Sequence, residues 1–192
     1  MNGFKSKLLG AVIYPGENAI FFYGGIFSQW YQRAFWVDTL FSFVSSAEEA
    51  MMLSKALLFD DQTSFNLIRK ASGNPKEQKR LGRLVKNYDE AKWAEERLKI
   101  VTNINYDKFS KNEDLKELLL LTASMEIVEA SPVDRIWGIG MCLGDPNLLD
   151  RKLWGQNLLG KAIVTARALI FDDEYKKKLT PIQTCDTTGL SK

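Results

Sequence analysis

The sequence predicts an α+β protein that is predominantly helical, with a small N-terminal antiparallel sheet in a single domain, and three observations carry that reading. Short aromatic and β-branched runs separated by turn residues cluster in residues 11–44. Beyond residue 45, helix-starting residues recur ahead of stretches with helical periodicity. The chain of 192 residues is long enough for one full-sized core and too short for two ordinary ones.

In the β region, AVIY and AIFFY flank the turn PGEN, and AFWV and LFSFV flank Asp38-Thr39, which reads as two hairpin-like pairs. Between them GGIFSQW forms a loop, where Gly24 and Gly25 allow a backbone excursion that could line a site. Ser45 or Ser46 stands three residues ahead of Glu48 or Glu49, so a capping box opens a helix from about Ser46 to Phe59. Its apolar stripe is expected at Ala47, Ala50, Met51, Leu57 and Leu58.

A short helix follows over Thr63–Ala71, ended by Gly73, and Asn74-Pro75 then caps another running to Lys86. Asp89 caps a longer helix holding Trp93, Leu98, Ile100 and Val101, and Asn112 starts one with Leu115, Leu118 and Leu119 inward. MEIVEA at 125–130 reads as a strand ended by Pro132, and LWGQNLLG opens an apolar helix over 158–171. From Asp172 no pattern remains, so the domain is expected to close near residue 175, leaving 176–192 as a polar, flexible tail.

Composition excludes several function classes. The chain has no histidine, which rules out Ser-His-Asp and Cys-His catalysis and every histidine-containing zinc site. Acid–base work therefore falls to carboxylates, lysine or tyrosine, and neither a metal nor a cofactor is expected. A net charge of +2 does not predict a protein that tracks nucleic-acid phosphates. With no long apolar run and no signal-peptide pattern in MNGFKSKLLG, no membrane partner is expected and a cytoplasmic placement is. Cys142 and Cys185 are expected as free thiols.

Two constellations are candidates for chemistry. On the first helix Glu48 and Lys55 nearly eclipse each other two turns apart, on a segment apolar enough to bury them. They read either as an internal charge pair that fixes helix docking or as a carboxylate base tuned by a lysine. In EASPVDRIWGIG, Glu129 and Asp134 stand beside Trp137, Gly138 and Gly140. Asp134 could merely cap a turn after Pro132. The aromatic face and the glycines also suit close approach to a planar or phosphate-bearing ligand, and paired carboxylates suit cleavage of a glycosidic bond.

The ordered blocks FFYGGIFSQW, SAEEAMMLSKALLF, LGRLV with Trp93, Lys108-Phe109, VEASPVDRIWGIG, and WGQNLLG with Arg167 resemble the NADAR, or YbiA-like, family over about residues 20–170. The resemblance implies a mainly helical α+β domain and N-glycosidase chemistry on a ribose joined to an exocyclic nitrogen. It implies catalytic roles for Glu48, Lys55, Lys108, Glu129 and Asp134. Substrate contacts are implied at Phe22, Tyr23, Gly24 and Trp30, and at Trp93, Trp137, Gly138 and Asn157. The implied partners are a nucleotide sugar, a ribosylamino-pyrimidine of riboflavin synthesis, or DNA carrying ADP-ribose on guanine. Three departures stand out: Ser28-Gln29-Trp30 where members often read Ser-Asn-Phe, Glu49 where they often have His or Gln, and Gly155-Gln156-Asn157 where they often read Gly-Lys-Asn. They motivate an alternative from another class, a non-catalytic ADP-ribose-binding module, with a plain structural protein as the third reading.

Overall fold

The computed structural model describes residues 3–179. Its strands are β1 (Phe4–Ser6), β2 (Ala11–Ile13), β3 (Ala19–Phe22), β4 (Phe35–Val37), β5 (Ser42–Val44) and β6 (Glu126–Glu129). Its helices are α1 (Ala47–Leu58), α2 (Gln62–Lys70), α3 (Pro75–Gly82), α4 (Glu90–Ser110), α5 (Glu113–Leu120) and α6 (Leu158–Leu179).

Both expected hairpins form: β2 and β3 pair antiparallel around the PGEN turn, and β4 pairs with β5. The main sheet has the order β1-β2-β3-β6 and is mixed rather than antiparallel, because β6 joins β3 in parallel and sets Glu129 opposite Phe22. A parallel partner needs a long crossover, here the whole run from β4 to α5, and no local sequence signal announces such a pairing. One face of the sheet carries the main core, with Phe22, Ile20 and Ile127 packed among helices. The other face is covered by a smaller cluster around Phe21, Val128 and Ile139. Consecutive residues of β6 are therefore both buried.

Helix α1 forms where its cap places it. Ser46 Oγ accepts from the Glu49 N–H at 3.2 Å, and the Glu49 carboxylate accepts in return from the Ser45 N–H at 2.9 Å, a capping box displaced by one residue. Because α2, α3 and α4 all pack on it, the buried arc is broad. Ala47, Ala50, Leu53 and Ala56 are fully enclosed, whereas Leu57, expected inward, is 44% exposed on the narrow strip left over.

Asn74 caps α3 with Pro75 in its first turn, and the helix ends at Gly82, four residues short of expectation; Val85 then plugs the core from the following turn. Helix α4 runs unbroken for 21 residues and packs along α6. Helix α6 continues past Asp172, where a loose tail was expected, as far as Leu179. Two ties explain the extension: Tyr106 donates its hydroxyl proton to Asp173 at 2.6 Å, and Lys116 bonds Glu174 at 3.2 Å. Residues 180–192, including Cys185, lie outside the described region.

The close approach of α6 to β6 depends on Gly160. A Cβ there would lie 1.9 Å from the Ile127 carbonyl oxygen and 2.5 Å from Asn157 Nδ2, and a backbone atom has no rotamer by which to withdraw. Gly160→Ala is expected to cost about 2 kcal/mol or more, a fall of roughly 4–8 °C in Tm for a domain of this size. Thermal unfolding checks this, and an unchanged Tm would show that strand and helix are not so tightly opposed.

Candidate active site

A cavity of about 960 Å³ opens between α1, α3, the loop from Tyr23 to Trp30 and the turn after β6. Helix α1 supplies Glu48, Met51, Met52 and Lys55 to its wall, and the turn supplies Glu129, Asp134 and Trp137. The two constellations singled out in the sequence thus face one space. Glu129 reaches it from the last residue of β6, and Asn157 holds that edge of the sheet. Its Oδ1 accepts from the Glu129 N–H at 3.0 Å and its Nδ2 donates to the Ile127 carbonyl at 2.9 Å, replacing the neighbouring strand that β6 lacks.

Burial dominates the electrostatics of the acids. It pushes the Glu48 carboxyl up to about 7, against the attraction of Lys79 and the Trp30 indole N–H, while Asp134 raises it further. Burial also lifts Glu129 to about 7; Asp134 and Glu48 add to the rise and Lys79 opposes it. Oε2 of Glu129 is enclosed with no hydrogen-bond partner among the described residues. Removing a carboxylate oxygen from water without a donor strongly favours the protonated form. Asp134 does two things at once: its Oδ1 caps the turn, accepting from the N–H groups of Ile136 at 2.9 Å and Trp137 at 2.8 Å, and its charge reaches both glutamates.

Lys55 is half-buried, and loss of water lowers its ammonium pKa. Its Nζ stands 4.1 Å from the centre of the Tyr88 ring and 5.7 Å from that of Trp93, and it makes no ion pair with Glu48. Tyr23 and Trp30 form an exposed aromatic rim beside Gly24.

Four expected site residues do not line the cavity. Phe22 is in the core against Phe27, and Asn157 and Gly138 belong to the frame, the Gly138 carbonyl accepting from the Asn157 N–H. A Cβ at Gly138 would stand 2.8 Å from the Glu129 carbonyl oxygen, so this glycine is required by backbone packing. Lys108 is fully enclosed behind the wall; its Nζ donates to the Ser28 carbonyl at 2.9 Å and lies 5.1 Å from the Phe109 ring centre. Burial pulls its pKa down to about 7. Among the described residues, no group of carboxylates or thiols has the arrangement to hold a metal ion, and no helix is long and apolar enough to cross a membrane.

Residues 21–171 match the NADAR domain family. The chain belongs to this family. A protein named N-glycosidase R617, from Acanthamoeba polyphaga mimivirus, is 41% identical over 163 residues, which span 79% of this chain and 95% of that protein. A Caenorhabditis elegans protein named irg-1 is 37% identical over 133 residues, covering 68% of this chain and 62% of the worm protein's length. The NMR structure of the E. coli protein YbiA superposes with a TM-score of 0.66 at 23% identity, over 88% of this chain and 92% of the other, which is a likeness of fold.

The NADAR domain's cavity also has a wall that sequence reasoning missed. Lys76, Lys79, Arg80 and Arg83 of α3 and its C-terminal turn all face it. Their spacing of three, four and seven residues is the one-face pattern of a helix, and that signal was present in PKEQKRLGR. Arg80 is paired with Glu77 at 2.7 Å, while Lys76, Lys79 and Arg83 have no carboxylate within ion-pair distance among the described residues. Two of the departures from family pattern fall away from the cavity. Glu49 is buried on the opposite side, accepting from Ser45, Ser72 and Arg69, and Gln156 is exposed. The third, Gln29, is in the wall.

The glutamates make stability pH-dependent with a definite sign. A carboxyl raised from 4.5 to about 7 on folding binds protons more tightly in the native state, so its contribution is complete below about 4.5 and is lost as pH rises toward 7. Glu48→Gln is therefore expected to stabilise the fold at pH 8, by on the order of 3 kcal/mol at most. The gain should vanish near pH 4.5, and Glu129→Gln should behave alike. Denaturant unfolding at the two pH values tests this; a loss of stability at pH 8 would contradict it.

Proposed function

We propose that this NADAR protein is an N-glycosidase that hydrolyses the bond between C1 of a ribose and the amino nitrogen of a base. The observation that carries the reading is the pair Glu48 and Glu129, two enclosed carboxyls in one cavity whose protons are held near neutrality. At that pH each carboxyl is partly protonated, so one member can donate to the leaving nitrogen while the other, ionised, takes a proton from the attacking water. The C–N bond breaks with its electron pair going to the protonated nitrogen, and hydroxide from the water completes the bond to C1. Asp134 favours protonation of its neighbours and stabilises the positive charge that develops on the sugar.

The remaining walls fit the rest of such a substrate. Trp137, Trp30 and Tyr23 offer aromatic faces to a base. The unpaired cations of α3 suit the phosphate of a ribose phosphate or the diphosphate of ADP-ribose. The substrates proposed are accordingly a ribosylamino-pyrimidine phosphate or guanine-linked ADP-ribose, including that linkage in DNA. A non-catalytic ADP-ribose binder would use the same cations and aromatics but gains nothing from two carboxyls held out of water at the cost of stability.

The deciding experiment offers the purified protein guanine-ADP-ribosylated DNA and the ribosylamino-pyrimidine phosphate side by side, with free sugar and base read by mass spectrometry. Release from at least one is expected, and release from neither overturns the enzyme reading. The pH profile of kcat should be bell-shaped around 7, and Glu48→Gln or Glu129→Gln should lower kcat by about 10²–10⁴-fold. Lys79→Ala should act mainly on KM, raising it about tenfold with a weaker salt dependence. Lys55 lines the cavity, so borohydride added during turnover tests a covalent imine route; direct hydrolysis predicts no lysine adduct.

A further inference from the structure

Gln29 stands in the cavity wall beside Glu48, whose backbone N–H donates to the Gln29 carbonyl at 2.9 Å. Its side chain is nearly buried, and the two ends of its amide have unequal surroundings. Oε1 accepts from Asn105 Nδ2 at 3.4 Å, and the same Nδ2 donates to the Val101 carbonyl at 2.8 Å, one turn earlier in α4. A backbone carbonyl only accepts, so it obliges Asn105 to present its nitrogen. The second N–H of that nitrogen in turn obliges Gln29 to present its oxygen. The orientation of the Gln29 amide is thus set by its neighbours, and Nε2 is turned the other way. There, among the described residues, it meets only Met51 Sδ at 4.0 Å, a weak acceptor on another cavity-wall side chain.

A donor group with two N–H bonds, fixed in direction and offered only a thioether, is poorly satisfied for a position so little exposed. Preorganised donors of this kind are what a binding site uses to read an acceptor. We propose that Gln29 determines specificity: Nε2 donates a hydrogen bond to a neutral oxygen of the ligand close to the bond being broken, a sugar hydroxyl or a base carbonyl. This rests on the cavity being an N-ribosyl site, because Gln29 is tied through its own carbonyl to the residue proposed to work at that bond. The charged parts of the ligand suit the cations of α3, which leaves a neutral acceptor for an uncharged amide. A ligand without that oxygen leaves Nε2 unsatisfied and is discriminated against.

The test couples the side chain to the ligand. Gln29→Met keeps the length and removes the donor, and Gln29→Glu keeps the oxygen on Asn105 while replacing the donor by an acceptor. Binding is measured by calorimetry in two arms: ribose 5-phosphate against 2-deoxyribose 5-phosphate, and the ribosylamino-pyrimidine phosphate against an analogue lacking the ring carbonyl. In one arm, loss of the oxygen should weaken wild-type binding about tenfold and should have no effect on either variant. Equal losses in wild type and variants in both arms overturn the proposal, as does wild-type protein that binds none of the probes. If Gln29→Met fails to fold, the same comparison with Gln29→Glu decides. Coupling without hydrolysis sinks the N-glycosidase reading and leaves the contact standing; hydrolysis without coupling sinks the contact alone.

Discussion

The structure is built around keeping two carboxyl groups out of water without pairing them directly with a cation. The point is sharpest in adjacent residues of α1. Glu49 and Glu48 are both buried, yet their environments drive them in opposite directions. Burial would raise the Glu49 carboxyl, but donors from Ser45 and Ser72 outweigh it and hold it below the usual carboxylate range. Glu48 faces the cavity, where attraction from Lys79 and a contact from Trp30 are too little to offset desolvation, and it rises to about 7. One residue locks the helix to α2; the other remains able to exchange a proton near neutrality.

That arrangement needs a frame that does not yield, since a carboxyl denied water will draw water in wherever packing allows. On one side, the corner at Ser28–Trp30 is fixed from behind by Lys108, while the Gln29 carbonyl takes the Glu48 N–H. On the other, Asn157 and Gly160 bring α6 against the open edge of β6 and so fix the strand end that carries Glu129. The roof is α3, seated on α1 where Gly82 leaves room for Met52; a Cβ there would stand 1.9 Å from the sulfur. The cations of α3 act on the acids through space, a weaker influence than a direct ion pair, and they stay available to a ligand.

Local chemistry made much of this legible in the sequence. The Ser46 cap, the Asn74-Pro75 start of α3, the Asp89 cap of α4 and the PGEN hairpin each depend on residues within a few positions of one another, and each stands where expected. What was not legible is what depends on distant partners: the parallel seat of β6, and the extension of α6 through contacts with Tyr106 and Lys116. The site divides along the same line. Glu48, Lys55, Glu129, Asp134 and Trp137 converge because helix spacing and a turn set their directions. Lys108, Asn157, Gly138 and Phe22 share their sequence blocks but act behind the wall, a distinction that motif order does not carry. The cationic face of α3 was readable from its spacing alone and was overlooked, because a charged helix face is ordinarily just solvated.

Glu48 and Glu129 titrate together near neutrality because they are enclosed in one cavity. Carbon-detected NMR of protein labelled at glutamate Cδ, followed from pH 3 to 9, addresses it without any assumption about substrate. Two resonances with midpoints near 7 are expected, one lost in Glu48→Gln and the other in Glu129→Gln, each loss shifting the midpoint of the survivor downward. Glutamates that all titrate in the ordinary range near 4.5 would contradict it.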